Sequence, residues 1–191
     1  MVNMDADAKL MLAFKSGDVK AFELLAEKYT KPLVNFIYRL TFDRAQAEDI
    51  AQEVFIKVYR AAKNYSVTSK FSTFLYKIAY NACMDYFRKK SRSVESKSLS
   101  LNAIMEKTET SPQIELVDKS KQQDALIIAL EQEAQIRGAL ASLHPRQSAA
   151  ISMRIYEEKT YEEIAEVLGI SKSAVETLLF RAKQALKQKL K

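Results

Sequence analysis

The stretch Thr160–Ser171, which reads TYEEIAEVLGIS, decides the fold of the C-terminal part of this chain. Thr160 and Glu163 have the spacing of a capping box, which predicts the first turn of a helix. Gly169 is the residue type expected just past a helix end, where the backbone becomes left-handed, and Ser171 can cap a second helix. Two helices joined by a turn this short predict a helix-turn-helix motif.

The helix that follows Ser171 is predicted to have one apolar and one polar face. At ~3.6 residues per turn, the apolar side chains gather on one side: Val175, Leu178, Leu179, Ala182 and Leu186. The opposite face starts with side chains that can contact base edges and continues with cations, which is typical of a helix in the DNA major groove. Its candidate DNA contacts are Lys172, Ser173, Glu176, Thr177, Phe180 and Arg181. A solvated surface helix with a Lys-rich end shows the same pattern, so this helix alone leaves both interpretations open.

The composition favours an all-α protein. The 191 residues are 48% hydrophobic but include 3 Gly, 3 Pro and no Trp, so residues that interrupt helices are scarce. A net charge of +6 favours a polyanionic partner. Cys83 and His144 are single residues of their types, which excludes an intramolecular disulfide and predicts no metal site and no cofactor. Since no nucleophile has a suitable His partner and no phosphate-binding loop is present in the sequence, we expect a protein without enzymatic activity.

Helical periodicity predicts two small helical domains. Residues 1–92 form an N-terminal helical bundle, with separate helices on either side of Thr30-Lys31-Pro32. Residues 93–121 are polar and Ser-rich, which predicts a flexible linker. Residues 122–191 resume the helical pattern and end in the helix-turn-helix domain. The N-terminus has no apolar run and no stretch reaches the length of a membrane span, so we expect a cytoplasmic protein without membrane insertion.

An acidic helix is predicted to begin at Asp43 in an otherwise basic chain. Its exposed face contains Asp49, Gln52, Glu53 and Ile56. A solvated face would explain the charges, whereas an exposed Ile among polar residues is typical of a protein-binding surface. Both interpretations stay open at this point.

A long helix is predicted from Ser72 to about Arg88. One stripe on its surface holds cations and an amide, and a neighbouring stripe holds aromatic rings: Lys77, Asn81 and Arg88, then Tyr76, Tyr80 and Phe87. This pair of stripes suits single-stranded nucleic acid, because cations follow the phosphates while unstacked bases lie on the rings. Alternatively, Tyr76 and Phe87 complete the core of the domain.

At these residues the chain resembles the extracytoplasmic-function (ECF) sigma factors of bacterial RNA polymerase. Three blocks carry the resemblance in the family's order: residues 47–59, residues 70–81, and residues 143–147 with 161–170 and 173–186. In that family, the first block binds the clamp helices of the largest polymerase subunit. The second block opens and reads the minus-ten promoter element, and the third reads the minus-thirty-five element.

The resemblance implies one polymerase-binding surface and two DNA-binding surfaces. Polymerase contacts would be Asp49, Gln52, Glu53 and Ile56, and the flap of the second-largest subunit would be a further partner. Minus-ten contacts would be Lys70, Phe71, Ser72, Thr73, Lys77, Tyr80, Asn81 and Arg88. Minus-thirty-five contacts would be the six residues named on the last helix. An anti-sigma factor that wedges between the two domains is a partner often found with such proteins.

The sequence departs from its relatives at two informative places. Lys77 and Ile78 stand where housekeeping sigma factors carry paired Trp. Fewer aromatic wedges predict weaker strand opening and therefore a narrow set of promoters. Glu176 stands where Lys is common in relatives, so the DNA specificity of relatives does not carry over.

The alternative function is a stand-alone helix-turn-helix regulator that binds duplex operators as a dimer. It accounts for the C-terminal domain but for neither the acidic helix nor the two stripes on the long helix. The predicted linker also permits a compact form, in which the two domains pack on each other and weaken DNA binding.

Overall fold

The computed structural model of the chain describes residues 5–98 and 135–190. Every regular element within these two ranges is a helix, which confirms the predicted all-α class. The helices are α1 (Ala6–Lys15), α2 (Val19–Thr41), α3 (Arg44–Ala61), α4 (Phe71–Ser98), α5 (135–141 in its described part), α6 (Pro145–Ile155), α7 (Tyr161–Leu168) and α8 (Lys172–Lys189). A short 3-10 helix, Ala62–Asn64, follows α3.

Aspartate side chains fix the starts of the first three helices. Asp5, Asp18 and Asp43 each accept a hydrogen bond from a backbone N–H of the first turn that has no partner within the helix. These caps define where α1, α2 and α3 begin, and α2 and α3 form the most extensive helix pair of the N-terminal half.

Helix α2 is continuous through Pro32, so the prediction of two helices at this point was wrong. Proline removes one backbone hydrogen bond from a helix interior and costs roughly 3 kcal/mol. Leu25 precedes Pro32 while Leu33 and Ile37 follow it, and all three side chains are fully buried in the same core. Each such burial stabilises the fold by about 1.5–3 kcal/mol. Packing on both sides of Pro32 therefore outweighs the local preference for a break.

Helix α4 begins at Phe71 and continues to Ser98, well past the predicted end near Arg88. Its last turns occupy the first residues of the predicted linker. The remainder of that linker, residues 99–121, lies outside the described residues, as do residues 122–134.

The helix-turn-helix has the predicted capping geometry. The Thr160 hydroxyl accepts a bond from the Glu163 N–H, and the Glu163 carboxylate accepts one from the Thr160 N–H. Gly169 has a φ of 65°, in the left-handed region where glycine is favoured, and the Ser171 hydroxyl caps α8. His144 caps α6, with Pro145 in the first turn.

The two halves of the molecule pack against each other. Helix α2 contacts α6, and α4 contacts α7. The Ser148 hydroxyl on α6 donates a hydrogen bond to the Arg39 carbonyl on α2 at an O–O distance of 3.2 Å. The structure is therefore the compact form, in which the helix-turn-helix lies on the N-terminal bundle. Among the described residues, no helix is both long and apolar enough to cross a membrane.

Candidate protein and nucleic-acid interfaces

Helix α8 presents its polar face to solvent. Val175, Leu179 and Ala182 are buried against α6 and α7. All six predicted DNA contacts on α8 are exposed: Lys172, Ser173, Glu176, Thr177, Phe180 and Arg181. The Phe180 ring is 63% exposed, an unusual position for a large aromatic side chain without a partner. The structure thus brings the six candidates together on one open helix face.

Lys172, at the start of this face, forms an ion pair with α7. The Lys172 Nζ lies 2.6 Å from a carboxylate oxygen of Glu162 on α7. The hydrogen bond between them raises the pKa of Lys172 and lowers the pKa of Glu162. Both side chains are exposed, so the pair is screened and is weak in water.

Helix α3 exposes the predicted acidic face. Asp49, Gln52, Glu53 and Ile56 all lie on its solvent side, with Ile56 50% exposed. Tyr59 extends this face and was not predicted as a contact. Its ring is 53% exposed and packs on Phe14 and Phe22, with ring centroids 4.9 and 5.3 Å apart. The i, i+3 spacing from Ile56 to Tyr59 is the sequence signal that would have identified it.

Helix α4 carries the predicted cationic and amide stripe on its surface. Lys77, Asn81 and Arg88 are exposed. Arg88 forms an ion pair with Asp85 one turn earlier on the same helix. The neighbouring aromatic stripe is less open, since Tyr76 and Tyr80 are buried and Phe87 is half-buried.

The expected surface position is wrong for two minus-ten candidates, Phe71 and Thr73. Phe71 is 1% exposed and packs edge-on against Tyr29 and Tyr65, with ring centroids 5.6 and 6.4 Å apart. Thr73 is fully buried. Phe71 belongs to the i, i+4, i+8 stripe of Leu75 and Ala79, which faces the core of the N-terminal half. Phe71 is therefore a core residue at the start of α4.

Three other minus-ten candidates lie against the C-terminal half. The Lys70 Nζ is 3.0 Å from a carboxylate oxygen of Glu163. The Ser72 hydroxyl accepts a hydrogen bond from the Lys159 Nζ at 2.7 Å. Tyr80 is 4% exposed, and burial raises its pKa, with Arg146 opposing the rise. All three side chains contact the C-terminal half, and the Lys70 side chain remains 58% exposed.

Glu157 forms two further contacts between the halves. Its carboxylate accepts a hydrogen bond from the Tyr76 hydroxyl and lies 3.4 Å from the Arg39 guanidinium. Burial and the bond to Glu157 raise the pKa of Tyr76. Arg39 also stacks on the Tyr156 ring, 3.6 Å from its centroid. In sequence, Tyr156–Thr160 looks like an ordinary polar turn, so only the packing of the halves identifies these residues.

Lys159 lies in the same contact region. It is 4% exposed, and its Nζ lies 5.2 Å from the centroid of the Tyr76 ring. Burial lowers its pKa, while the nearby Glu163 opposes that shift. A lysine this enclosed at the junction of two domains is uncommon, because an unpaired buried charge costs several kcal/mol.

Comparison with known proteins finds sigma factors along both halves. The Sigma-70 region 2 family matches residues 25–93, and the Sigma-70, region 4 family matches residues 133–186. The chain is 30% identical over 192 residues to the RNA polymerase sigma-H factor of Pseudomonas aeruginosa, covering 100% of this chain and 96% of that protein. It is 31% identical over 179 residues to the ECF RNA polymerase sigma factor SigW of Bacillus subtilis, covering 93% and 92% of the two chains.

Two solved structures share the fold. CnrH, in complex with the cytosolic domain of CnrY, superposes with a TM-score of 0.70 at 20% identity and 97% coverage of each chain. The sigma factor RpoE of Bartonella quintana, in complex with the anti-sigma factor NepR, superposes with a TM-score of 0.68 at 21% identity, covering 90% and 98%. Together with the full-length sequence matches, the acidic α3 and the helix-turn-helix identify the chain as a member of the ECF sigma factors of bacterial RNA polymerase.

Proposed function

We propose that this sigma factor binds core RNA polymerase through the exposed face of α3 and promoter DNA through α4 and α8. The observation that carries the proposal is the joint exposure of Asp49, Gln52, Glu53 and Ile56 on α3 in a basic protein. A row of carboxylates around an apolar side chain suits a basic partner surface with an apolar centre.

The proposed clamp contact has an apolar centre and a charged rim. Ile56 and Tyr59 supply apolar area, with Phe22 and Phe55 beneath them. Asp49 and Glu53 lie one helical turn apart and steer the encounter by charge, while Gln52 adds hydrogen-bonding groups. A second polymerase contact, with the flap of the second-largest subunit, is proposed for the C-terminal half.

The proposed minus-ten surface runs along α4. Lys77, Asn81 and Arg88 are placed to follow the backbone of a separated strand. Lys70, Ser72 and Tyr80 join this surface when the C-terminal half moves away. We assign no base contact to Phe71 or Thr73, because core positions are not accessible to a base.

The proposed minus-thirty-five surface is the open face of α8. Glu176 accepts a hydrogen bond from a cytosine amino group, and Phe180 contacts a thymine methyl group. Lys172 and Arg181 flank these residues and bind phosphates, while Ser173 and Thr177 supply short hydroxyl donors. Phosphate contacts fix the register of the helix, and Glu176 and Phe180 provide base discrimination.

The two DNA-binding domains are proposed to span residues 1–92 and 122–191, with a linker at 93–121. The two family matches, 25–93 and 133–186, support this division. The protein is proposed to act in the cytoplasm by positioning RNA polymerase on the promoter. Catalysis is proposed to belong to the polymerase. An anti-sigma factor is a proposed partner, since RpoE of Bartonella quintana is solved in complex with the anti-sigma factor NepR.

Binding to purified core polymerase tests the proposal. We expect tight binding by the intact chain and a loss of at least about 30-fold, roughly 2 kcal/mol, in Asp49→Ala/Gln52→Ala/Glu53→Ala. The matched control Glu23→Ala/Glu27→Ala/Gln188→Ala also removes two exposed carboxylates and one exposed amide, and it should bind as the parent does. Absence of polymerase binding, together with operator binding by the chain alone, would establish the stand-alone regulator instead.

A further inference from the structure

The loop between the 3-10 helix and α4, residues 65–70, is held at both ends by contacts that begin on α1. We infer that α1 is a positioning element for this loop and for the first turn of α4. It fixes the geometry in which Lys70 and Ser72 are presented to a separated strand, and its positioning residues are Lys15 and Asp7. The inference rests on the proposed function, because it takes Lys70 and Ser72 as minus-ten contacts.

Lys15, the last residue of α1, holds the start of the loop. Its Nζ donates a hydrogen bond to the backbone carbonyl oxygen of Tyr65 at 2.8 Å, across 50 residues of sequence. The donor is charged, so this bond is stronger than a bond between neutral groups. The Tyr65 side chain is buried, and its ring packs against Phe74 with centroids 5.3 Å apart. The backbone at which the loop begins is therefore fixed from both sides.

Asp7, in the first turn of α1, holds the end of the loop through Tyr29. The buried Asp7 carboxylate accepts a hydrogen bond from the Tyr29 hydroxyl at 2.6 Å and bonds from the Lys28 Nζ at 2.7 Å. Burial and the bond to Asp7 raise the pKa of Tyr29, so the hydroxyl remains a donor. The Tyr29 ring contacts Phe71 edge-on. A contact that starts on α1 thus reaches the first residue of α4.

Phe71 transmits these contacts to the proposed DNA-binding side chains. Lys70 and Ser72 are its neighbours in sequence, so a displacement of Phe71 moves both of them. The Phe71 ring packs against Tyr29 and Tyr65, which are the two residues bonded to α1. The same two tyrosines therefore determine where both minus-ten contacts lie.

The loop has little internal structure that could maintain this geometry. Residues 66–70 contain no helix, and within them the Thr68 N–H donates a backbone bond to the Ser66 carbonyl at 3.0 Å. Ser66, Thr68 and Lys70 are exposed. A binding site on a loop is less precise than one on a helix unless neighbouring residues support it. Lys15 and Asp7 provide that support from outside the loop.

The attachment of α1 to the bundle does not itself depend on these polar contacts. Ala8, Met11 and Phe14 of α1 are buried in the core of the N-terminal half. Apolar burial stabilises without specifying a direction, whereas a hydrogen bond fixes the distance and angle between a donor and an acceptor. The polar contacts of α1 therefore specify the placement of the loop, while the apolar contacts stabilise the helix.

Single substitutions separate the two anchors. Lys15→Met keeps the aliphatic side chain and removes the ammonium donor, while Lys15→Arg is the rescue variant, since a guanidinium can donate to the same carbonyl. Lys9→Met is the matched control, because Lys9 is exposed on the same helix and the same charge is lost. Tyr29→Phe removes the hydroxyl and keeps the ring, and Tyr38→Phe on the same helix is its control.

Amide hydrogen exchange of the free, full-length protein measures the anchors directly. The backbone N–H groups of Tyr65 and Thr68 are hydrogen-bonded in and beside the loop, as is that of Thr73 at the start of α4. Lys15→Met should speed exchange at Tyr65 and Thr68 by at least about threefold, because local opening becomes easier. Tyr29→Phe should do the same at Thr73, and the rescue and control variants should keep the parent rates. Unchanged exchange in Lys15→Met would overturn the inference.

The functional measurement uses the polymerase holoenzyme and a pool of single-stranded oligonucleotides randomised over a short central segment. Sequencing the bound molecules gives the base preference at each position, which does not depend on the fraction of active protein. A single position is worth roughly 5- to 150-fold in affinity in specific complexes. Lys15→Met and Tyr29→Phe should lower the preference by at least about threefold at the positions that the loop contacts, and leave it unchanged elsewhere. The rescue and control variants should select the same sequences as the parent.

The outcomes distinguish the positioning role from a structural role and from failure of the proposed function. Faster exchange with unchanged base preferences would overturn the positioning role, and so would an equal loss of binding on every sequence. A parent holoenzyme without any base preference would instead overturn the proposed minus-ten surface and the positioning role with it. The exchange rates would still show whether Lys15 anchors the loop.

Discussion

The Nζ of Lys159 donates a hydrogen bond to the Oγ of Ser72 at 2.7 Å, across 87 residues of sequence and between the two halves of the protein. Burial disfavours the charged ammonium and lowers its pKa, whereas the nearby carboxylate of Glu163 favours it. Ser72 is thereby held against the C-terminal half at the first turn of α4. The closed arrangement thus depends on a few enclosed polar contacts that single substitutions can address.

Tyr76→Phe is expected to lower the free energy of unfolding by about 1–3 kcal/mol, because the half-buried Glu157 carboxylate loses a hydrogen-bond donor. Urea denaturation of the full-length protein measures the change. Tyr59→Phe is the control, since the exposed Tyr59 makes no hydrogen bond through its hydroxyl among the described residues and should shift stability by less than about 0.5 kcal/mol. Equal stability of the parent and Tyr76→Phe would show that the Glu157 contact contributes nothing to folding.

Ile56→Ala is expected to weaken binding to core polymerase by about tenfold, roughly 1.4 kcal/mol, because Ile56 is the apolar centre of the proposed clamp contact. Its exposure predicts little change in stability. Ile155→Ala is the control, because Ile155 lies in the C-terminal half and is similarly exposed, at 58% against 50% for Ile56. Similar polymerase affinities for the two variants would remove Ile56 from the interface.

Phe180→Ala is expected to weaken binding to a duplex minus-thirty-five site by about 1–2 kcal/mol, with the loss concentrated at sites that carry the contacted thymine. Electrophoretic mobility shifts with thymine and uracil at each position measure it, since uracil lacks the methyl group. Leu190→Ala serves as the control, because Leu190 is exposed at the end of α8 and outside the reading face. An equal loss on every sequence would mean that Phe180 makes no base-specific contact.

Alkaline pH is expected to destabilise the N-terminal half through Cys83. Burial raises the pKa of the Cys83 thiol from an ordinary 9.0 to about 12. The folded state therefore holds this proton more tightly than the unfolded state. The corresponding stability is fully present below pH 9 and is lost as the pH rises from about 9 towards 12.

The free energy of unfolding should fall by about 1 kcal/mol between pH 9 and pH 10 because of this thiol alone. Cys83→Ala removes the contribution of this thiol to the pH dependence of stability. The tyrosines with raised pKa, including Tyr65 at about 12, account for the pH dependence that remains. Urea denaturation at pH 8, 9 and 10 provides the comparison. Parallel pH profiles for the parent and Cys83→Ala would contradict the burial argument.

Transcription with a panel of single-base promoter variants tests the weaker strand opening expected from Lys77 and Ile78. Lys77 is exposed and Ile78 is half-buried, so neither supplies an aromatic wedge. Most substitutions in the minus-ten element should therefore reduce initiation strongly. Lys77→Trp/Ile78→Trp should relax this sensitivity, and broad tolerance by the parent protein would contradict the expectation.

Local signals in the sequence predicted the boundaries of the helix-turn-helix well. The capping box of Thr160 and Glu163, the left-handed Gly169 and the cap at Ser171 each involve groups within a few residues of one another. Such contacts form in the same way whatever surrounds them. The polar face of α8 and the acidic face of α3 also follow from helical periodicity alone.

Long-range packing decided the features that the sequence did not predict. Pro32 was read as a break because propensity is local, whereas burial on both sides of it keeps α2 continuous. Phe71 was predicted as a minus-ten contact on the surface, although its place in the apolar stripe of α4 directs it into the core. Lys159 has no local signal at all, since its partners come from a distant helix.

The open face of α8 and the buried tyrosines of α4 have a consequence for competition inside the cell. RNA and exposed single strands are abundant polyanions, and a protein with an accessible stacking surface is titrated by them. Because Tyr76 and Tyr80 are buried, these polymers find few aromatic rings on α4 to stack on. The free protein then remains available to duplex DNA and polymerase.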